Sequence, residues 1–216
     1  MFEAHSQFGI EAIASCSFQG SDLNLQIQML QIETFPISGL KLITLKKLPD
    51  PRGFFVERFR QSQFIEAGLP IDFVQDNFSR SAPGILRGLH YQWEKPQGKL
   101  VTCMQGRIFD VAVDIRVGSP TFGKSVSIEL DGNNPQWFWV PPGFAHGFCV
   151  IGDQDADIFY KCTAEYNPKG ENGICWSDPE VRIEWPTREP HLSNRDAQMG
   201  SLQDYQKNPH FRWSGK

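Results

Sequence analysis

The 216-residue sequence predicts an all-β domain, and three observations carry that reading. Its 19 Gly and 15 Pro accompany 17 Phe, 6 Trp and 4 Tyr, a composition of short strands and tight turns, not of a helical bundle. Apolar and polar residues alternate over short stretches with a period of two. Turn sequences separate those stretches: Pro49-Asp50-Pro51, Ala82-Pro83-Gly84, Gly118-Ser119-Pro120, Asp131-Gly132-Asn133-Asn134-Pro135, Pro141-Pro142-Gly143 and Asn167-Pro168. Many short strands with little helix imply a β-sandwich or barrel, and a jelly roll with a side pocket fits best.

Residues 1–35 stand apart. They are rich in Ser, Gln and Asn, hold Glu3, Glu11, Asp22 and Glu33 but no Lys or Arg, and keep no period. They read as a poorly ordered extension before a single domain over 36–216. A chain started at Met29 would begin where the periodic pattern begins.

The strands follow in order. Arg107–Arg116 sets Phe109, Val111, Val113 and Ile115 against Asp110, Ala112, Asp114 and Arg116, and Ser125–Leu130 sets Val126, Ile128 and Leu130 against Ser125, Ser127 and Glu129. Each predicts a strand with one face buried. Further strands are expected at 41–47, 54–60, 73–78, 84–92, 99–104, 136–140, 148–151, 157–164 and 174–176. A short helix is expected over 62–67, stopping at Gly68, and a second from an N-cap at Ser193, with Asp196 three residues on, to about Gln203.

Composition excludes several classes. The formal net charge of −4 argues against a nucleic-acid binder. No apolar stretch approaches the ~18 to 20 residues of a membrane span, and the first 40 residues resemble neither a secretory signal nor a mitochondrial presequence. Five cysteines (16, 103, 149, 162, 175) form no C-x-x-C pair and are odd in number, which fits a reducing, cytoplasmic setting better than a disulfide framework.

Polar residues inside apolar strands mark candidate chemistry, because burial without a partner costs about 1–3 kcal/mol. In Ile85-Leu-Arg87-Gly88-Leu-His90-Tyr-Gln92, a bulge at Gly88 would turn both Arg87 and His90 inward. His146 follows Pro141-Pro142-Gly143 and reads as lying on a glycine-flanked turn. Gln97-Gly98-Lys99 is close enough to form the hairpin partner of the His90 strand, which would set Lys99 near His90. Tyr160 and Tyr166 flank a strand end. The five histidines (5, 90, 146, 191, 210) form no H-x-H or H-E-x-x-H, so no metal site is expected.

Taken together, these segments resemble the dTDP-4-dehydrorhamnose 3,5-epimerase family, a metal-free cupin jelly roll. The resemblance runs in order from Leu40 to Asp196 through Arg52-Gly-Phe-Phe-Val-Glu57, Gln75-Asp-Asn77, Leu86-Arg-Gly-Leu-His90-Tyr-Gln92, Gln97-Gly-Lys99, Phe109–Arg116 and Ser119-Pro-Thr-Phe-Gly123. It continues through Pro142-Gly-Phe-Ala-His-Gly-Phe148, Tyr160-Lys161, Tyr166, Glu171, Glu184-Trp-Pro186 and Ser193-Asn-Arg-Asp196.

The resemblance implies a cofactor-independent isomerase acting on a dTDP-sugar whose C4 ketone acidifies the hydrogens at C3 and C5. It implies His90 as the base, Asp196 as the carboxylate that orients it, Lys99 at the enolate oxygen and Tyr160 as the acid on the opposite face. Arg52 and Arg87 match diphosphate contacts, while Glu57, Gln75, Asn77, His146 and Glu171 match contacts to sugar or nucleotide. Tyr166 matches a ring that stacks on thymine, and Arg195 stands where the family has Lys. A homodimer is also implied. A mono-epimerase at C3 or C5, a non-catalytic nucleotide-sugar binder and a metal-dependent cupin are the alternatives; joint presence of His90, Lys99, Tyr160 and Asp196 argues against the binder.

Overall fold

The computed structural model describes residues 30–215. Its strands are β1 (Leu30–Thr34), β2 (Lys41–Leu45), β3 (Lys47–Asp50), β4 (Gly53–Val56), β5 (Gln75–Ser81), β6 (Leu86–Gln92) and β7 (Lys99–Gln105). They continue with β8 (Arg107–Asp114), β9 (Ser125–Asp131), β10 (Gln136–Val140), β11 (Phe144–Ile151), β12 (Ala156–Cys162) and β13 (Glu171–Gly173). Two short helices, α1 (Gln61–Glu66) and α2 (Leu202–Lys207), complete the set with a 3-10 turn at Asp196–Gln198. A six-stranded sheet, β1-β2-β10-β7-β12-β5, packs on a five-stranded sheet, β13-β6-β11-β8-β9, in a jelly roll, with β3-β4 as a separate hairpin. Among the described residues no helix is long and apolar enough to cross a membrane.

Both sheets are covered on both faces. Between them lie Val101, Ile108, Leu130, Phe138, Phe144, Phe148, Val150 and Ile158. The outer face of the larger sheet carries Ile43, Leu100, Trp137 and Trp139 beneath Phe64 of α1 and Leu69. The outer face of the smaller sheet carries Leu89, Tyr91, Val111 and Val113 beneath Leu202 and Tyr205 of α2. Burying a side chain of this size contributes about 1.5–3 kcal/mol, so the covering segments are part of the fold and not an addition to it.

The chain after α2 completes that second cover. The Tyr91 hydroxyl and His210 Nδ1 are hydrogen-bonded at 3.1 Å, and Trp93 stacks on the same imidazole with centroids 4.4 Å apart. Arg116 makes a two-pronged ion pair with Asp114 and is sandwiched between the rings of Phe144 and Trp213, at 4.5 and 4.4 Å.

The structure corrects several expectations. Leu30–Phe35 is not part of an extension: Leu30–Thr34 pairs antiparallel with β2, and Phe35 packs edge-on against Phe138 at 5.9 Å. An edge strand of five mostly exposed residues carries too few apolar positions to show a period. Residues 1–29, the rest of that expected extension, lie outside the described residues. The expected strand at 174–176 falls instead at 171–173, and the terminal helix is interrupted at Met199, whose ψ of 144° is extended. The β8 strand is buried on both faces, so Asp110 and Asp114 point into the protein and not toward water.

Candidate active site

The register of the two sheets sets the site. On β7 and β12, Lys99 pairs with Cys162 and Val101 with Tyr160, so Lys99 and Tyr160 share the inner face of the larger sheet with Val101 and Ile158. Gln75, Asn77 and Ser79 continue that row on β5, opposite Cys162, Tyr160 and Ile158. The opposite wall belongs to the smaller sheet. There His146 on β11 pairs with His90 on β6, and the register slips between His146 and Phe148. That irregularity falls beside Gly88, whose φ of 131° and 2.6 Å clearance from Gly147 Cα exclude a side chain. It turns both Arg87 and His90 toward the same space, as the sequence predicts.

The result is a cavity of about 520 Å³ lined by Arg87, His90, Lys99, His146, Tyr160, Arg195 and Asp196, among others. Six lining residues carry basic side chains (Arg87, His90, Lys99, His146, His191 and Arg195), against Asp196 as the one lining carboxylate. In a chain of net charge −4 this is a local reversal of sign that favours an anionic ligand.

His90 Nε2 and Asp196 Oδ1 lie 2.6 Å apart. Burial alone would raise the Asp196 pKa; the hydrogen bond and charge of His90, with Ser193 and the Gly88 amide, outweigh it and hold this carboxyl below its ordinary value. The Ser193 hydroxyl accepts the Asp196 amide N–H at 3.1 Å, so the turn holding this carboxylate is itself capped. Burial pushes the Lys99 ammonium below the ordinary lysine value, partly offset by the nearby Cys162, Glu171 and Asp110. Burial likewise raises the Tyr160 phenol, which therefore keeps its proton well into alkali.

A second histidine pair lies in the same wall. His146 Nε2 and Asp110 Oδ1 are 2.8 Å apart, both residues are buried, and Asp110 Oδ2 is the one buried side-chain polar atom without a partner among the described residues.

Two expectations about position are corrected. Lys99 is not the hairpin partner of His90, because β6 and β7 belong to different sheets and meet across the cavity. His146 is not on a turn but within β11, whose pairing with β8 extends through Phe144–Ile151.

The other expected contacts divide into two groups. Gln75, Tyr166, Glu171 and Arg195 form a chain leading from the cavity rim: Gln75 Oε1 accepts the Tyr166 amide at 2.7 Å, the Tyr166 hydroxyl donates to Glu171 Oε2 at 2.8 Å, and Arg195 Nη1 donates to the same oxygen at 2.6 Å. Asn77 joins it through a 3.0 Å bond from Gln75 Nε2. Arg52 and Glu57 do not line the cavity; Arg52 sits on the β3–β4 hairpin beside Asp50, and Glu57 pairs with Arg60. The sequence reading missed Asp110, Ser79 and His191, of which Asp110 was hidden in an alternation read as solvent-facing. Among the described residues no group of three His, Cys, Asp or Glu is placed to hold a metal ion.

Comparison with known proteins places the chain among sugar-nucleotide epimerases by sequence and fold. Residues 34–204 match the family model described as dTDP-4-dehydrorhamnose 3,5-epimerase. A Shigella flexneri dTDP-4-dehydrorhamnose 3,5-epimerase is 54% identical over 153 residues, covering 70% of this chain and 84% of the relative. A Legionella pneumophila dTDP-6-deoxy-D-glucose-3,5-epimerase, solved in complex with dTDP-4-keto-L-rhamnose, is 47% identical and superposes with a TM-score of 0.81, covering 85% of this chain and 98% of that one. The 4-keto-6-deoxy sugar epimerase from the novobiocin biosynthetic gene cluster of Streptomyces spheroides is 36% identical, with a TM-score of 0.81 over 86% of this chain and 94% of its own. With the match spanning both sheets and every wall of the cavity, the chain belongs to the dTDP-4-dehydrorhamnose 3,5-epimerase family.

Proposed function

We propose that this chain is an isomerase that inverts C3 and C5 of dTDP-4-dehydro-6-deoxy-D-glucose, giving dTDP-4-dehydro-L-rhamnose. The observation that carries the reading is that a histidine base and a phenol face one basic cavity from opposite sheets, His90 from the smaller and Tyr160 from the larger.

The chemistry follows from that opposition. The C4 ketone lets C3–H or C5–H leave as a proton; His90 takes it, and the electron pair moves into an enolate whose oxygen faces the Lys99 ammonium. Asp196 fixes the ring of His90 and steadies the imidazolium. Tyr160 then gives its proton to the carbon from the other face, the C=O re-forms, and solvent restores the phenol while taking the proton from His90, which readies both groups for the second carbon. His146, locked by Asp110, shapes the wall beside His90. Arg87 and Arg195 are the diphosphate ligands nearest this chemistry, and Gln75, Asn77, Tyr166 and Glu171 hold the nucleotide end.

Arg52 and Glu57 find a role in a second copy of the chain. Phe54, Phe55 and Phe78 are 47%, 64% and 62% exposed, and Val74 is 57% exposed, a share of bare apolar surface that supports a homodimer. Phe54 and Phe55 lie on the same β3–β4 hairpin as Arg52, so a second copy that covered them would also receive Arg52. The setting is cytoplasmic, where such sugar nucleotides are made.

NMR of the 4-keto sugar nucleotide in deuterated water tests the reading. Deuterium at both C3 and C5 is expected; label at one carbon makes the chain a mono-epimerase, and no enzyme-dependent label leaves only a binder.

A further inference from the structure

Three of the five histidines of this chain line the cavity, and the reaction above uses two of them. The third is His191. Its backbone is fixed on both sides: its N–H donates to Gly84 O at 2.9 Å and its carbonyl accepts the Leu86 N–H at 3.0 Å. These bonds make an isolated bridge between Ile85 and His191 that seats residues 191–196 against the start of β6. The ring lies alongside Gly84, where an added Cβ would come within 3.5 Å of His191 Cδ2. His191 is exposed, and among the described residues its imidazole makes no hydrogen bond.

Its neighbours in the cavity lining are cationic. Arg87, two residues beyond the bridged Ile85, donates from Nε to Ser81 Oγ at 3.0 Å and has no carboxylate partner among the described residues. Arg195 lies four residues further along the His191 segment, but its charge is shared with Glu171 at 2.6 Å. The one lining carboxylate, Asp196, is buried and already engaged by His90. The diphosphate of a sugar nucleotide carries two negative charges and several acceptor oxygens, so within one chain a free guanidinium and a shared one leave room for a further donor. An imidazole N–H beside Arg87 is suited to supply it.

We propose that His191 is a third ligand of the substrate diphosphate. The inference rests on the reading of the cavity as a nucleoside-diphosphate-sugar site and assigns one more residue to it. The same cavity is lined by Arg87 and His90 on β6, Lys99 on β7, His146 on β11 and Tyr160 on β12, with Arg195 and Asp196 on the His191 segment. All of these persist in a His191 variant, so the difference between parent and variant isolates the His191 imidazole.

The test is calorimetric binding of dTDP-glucose, a nucleoside diphosphate sugar that cannot turn over here. His191→Ala is expected to weaken binding about tenfold. KM for the 4-keto substrate should rise in step while kcat holds, which a loss of fold would not produce. His191→Lys, which keeps a cationic donor, should restore most of the affinity. If His191→Ala binds like the parent, the assignment of His191 is overturned while the nucleotide-sugar reading stands. If the parent itself does not bind dTDP-glucose, both fall.

Discussion

The two histidine–carboxylate pairs of this cavity are made of the same groups and built in opposite ways. His90 and Asp196 are 106 residues apart in sequence, and the His90 side chain keeps 23% of its exposure, so its ring faces the ligand space. His146 and Asp110 come from adjacent strands, and the Asp110 side chain is fully buried. Asp196 is well supplied with donors, from His90, Ser193 and Gly88. Among the described residues one Asp110 oxygen has no donor, and His146 is the carboxylate's sole side-chain partner. A pair whose ring meets substrate and whose carboxylate is saturated can pass a proton and recover. A pair sealed in the wall with an unsatisfied oxygen is a fixture, and removing either half strands the other.

That contrast makes ordered predictions. His90→Ala should cost about 10³-fold in kcat, read as lost deuterium exchange at C3 and C5, with dTDP-glucose binding within a few-fold of the parent. Asp196→Asn should cost about 10²-fold by freeing the wrong imidazole tautomer, without a matching loss of binding. It should also flatten the acid limb of stability. The folded pKa of Asp196 is depressed, so its contribution is complete above the ordinary carboxylate range and lost as pH falls through the folded value.

His146→Ala should reverse the balance. It strands the buried Asp110 charge at a cost of about 3–5 kcal/mol in denaturant unfolding, with only about a tenfold loss of kcat in the protein that remains folded. Equal catalytic losses from His90→Ala and His146→Ala would end the distinction between the pairs. The smallest effect is a shift in pH. Asp110 lies among the groups that raise the Lys99 pKa and Asp196 does not, so Asp110→Asn should move the alkaline limb of kcat to lower pH while Asp196→Asn leaves it in place.

Most of the fold was legible because its strands carry a period and its turns carry Gly and Pro. The limits of that legibility have one physical source. Alternation reports two faces of a strand but not which face meets water, and β8 lies in a sheet covered on both sides. Asp110 therefore looked like a solvent residue. The hairpin assumed between β6 and β7 failed for a related reason: the six residues Trp93–Gly98 are compatible with either a hairpin or a crossing between sheets, and packing decides. His90, Lys99, Tyr160 and Asp196 were found by their order along the chain, whereas His191 needed the Ile85 bridge to bring it to the cavity.

The cover over the rear of β6 bears on where this protein can be cut. The family-model match ends at residue 204, yet Tyr205, His210, Phe211 and Trp213 lie beyond it and close over Tyr91, Trp93 and Arg116. A fragment ending at residue 204 would keep every proposed catalytic side chain and bare the aromatic back of the strand that carries His90. Its expected fate is aggregation before inactivity. The limit of the family-model match is therefore not the limit of the folded unit, which reaches at least nine residues further, to Trp213.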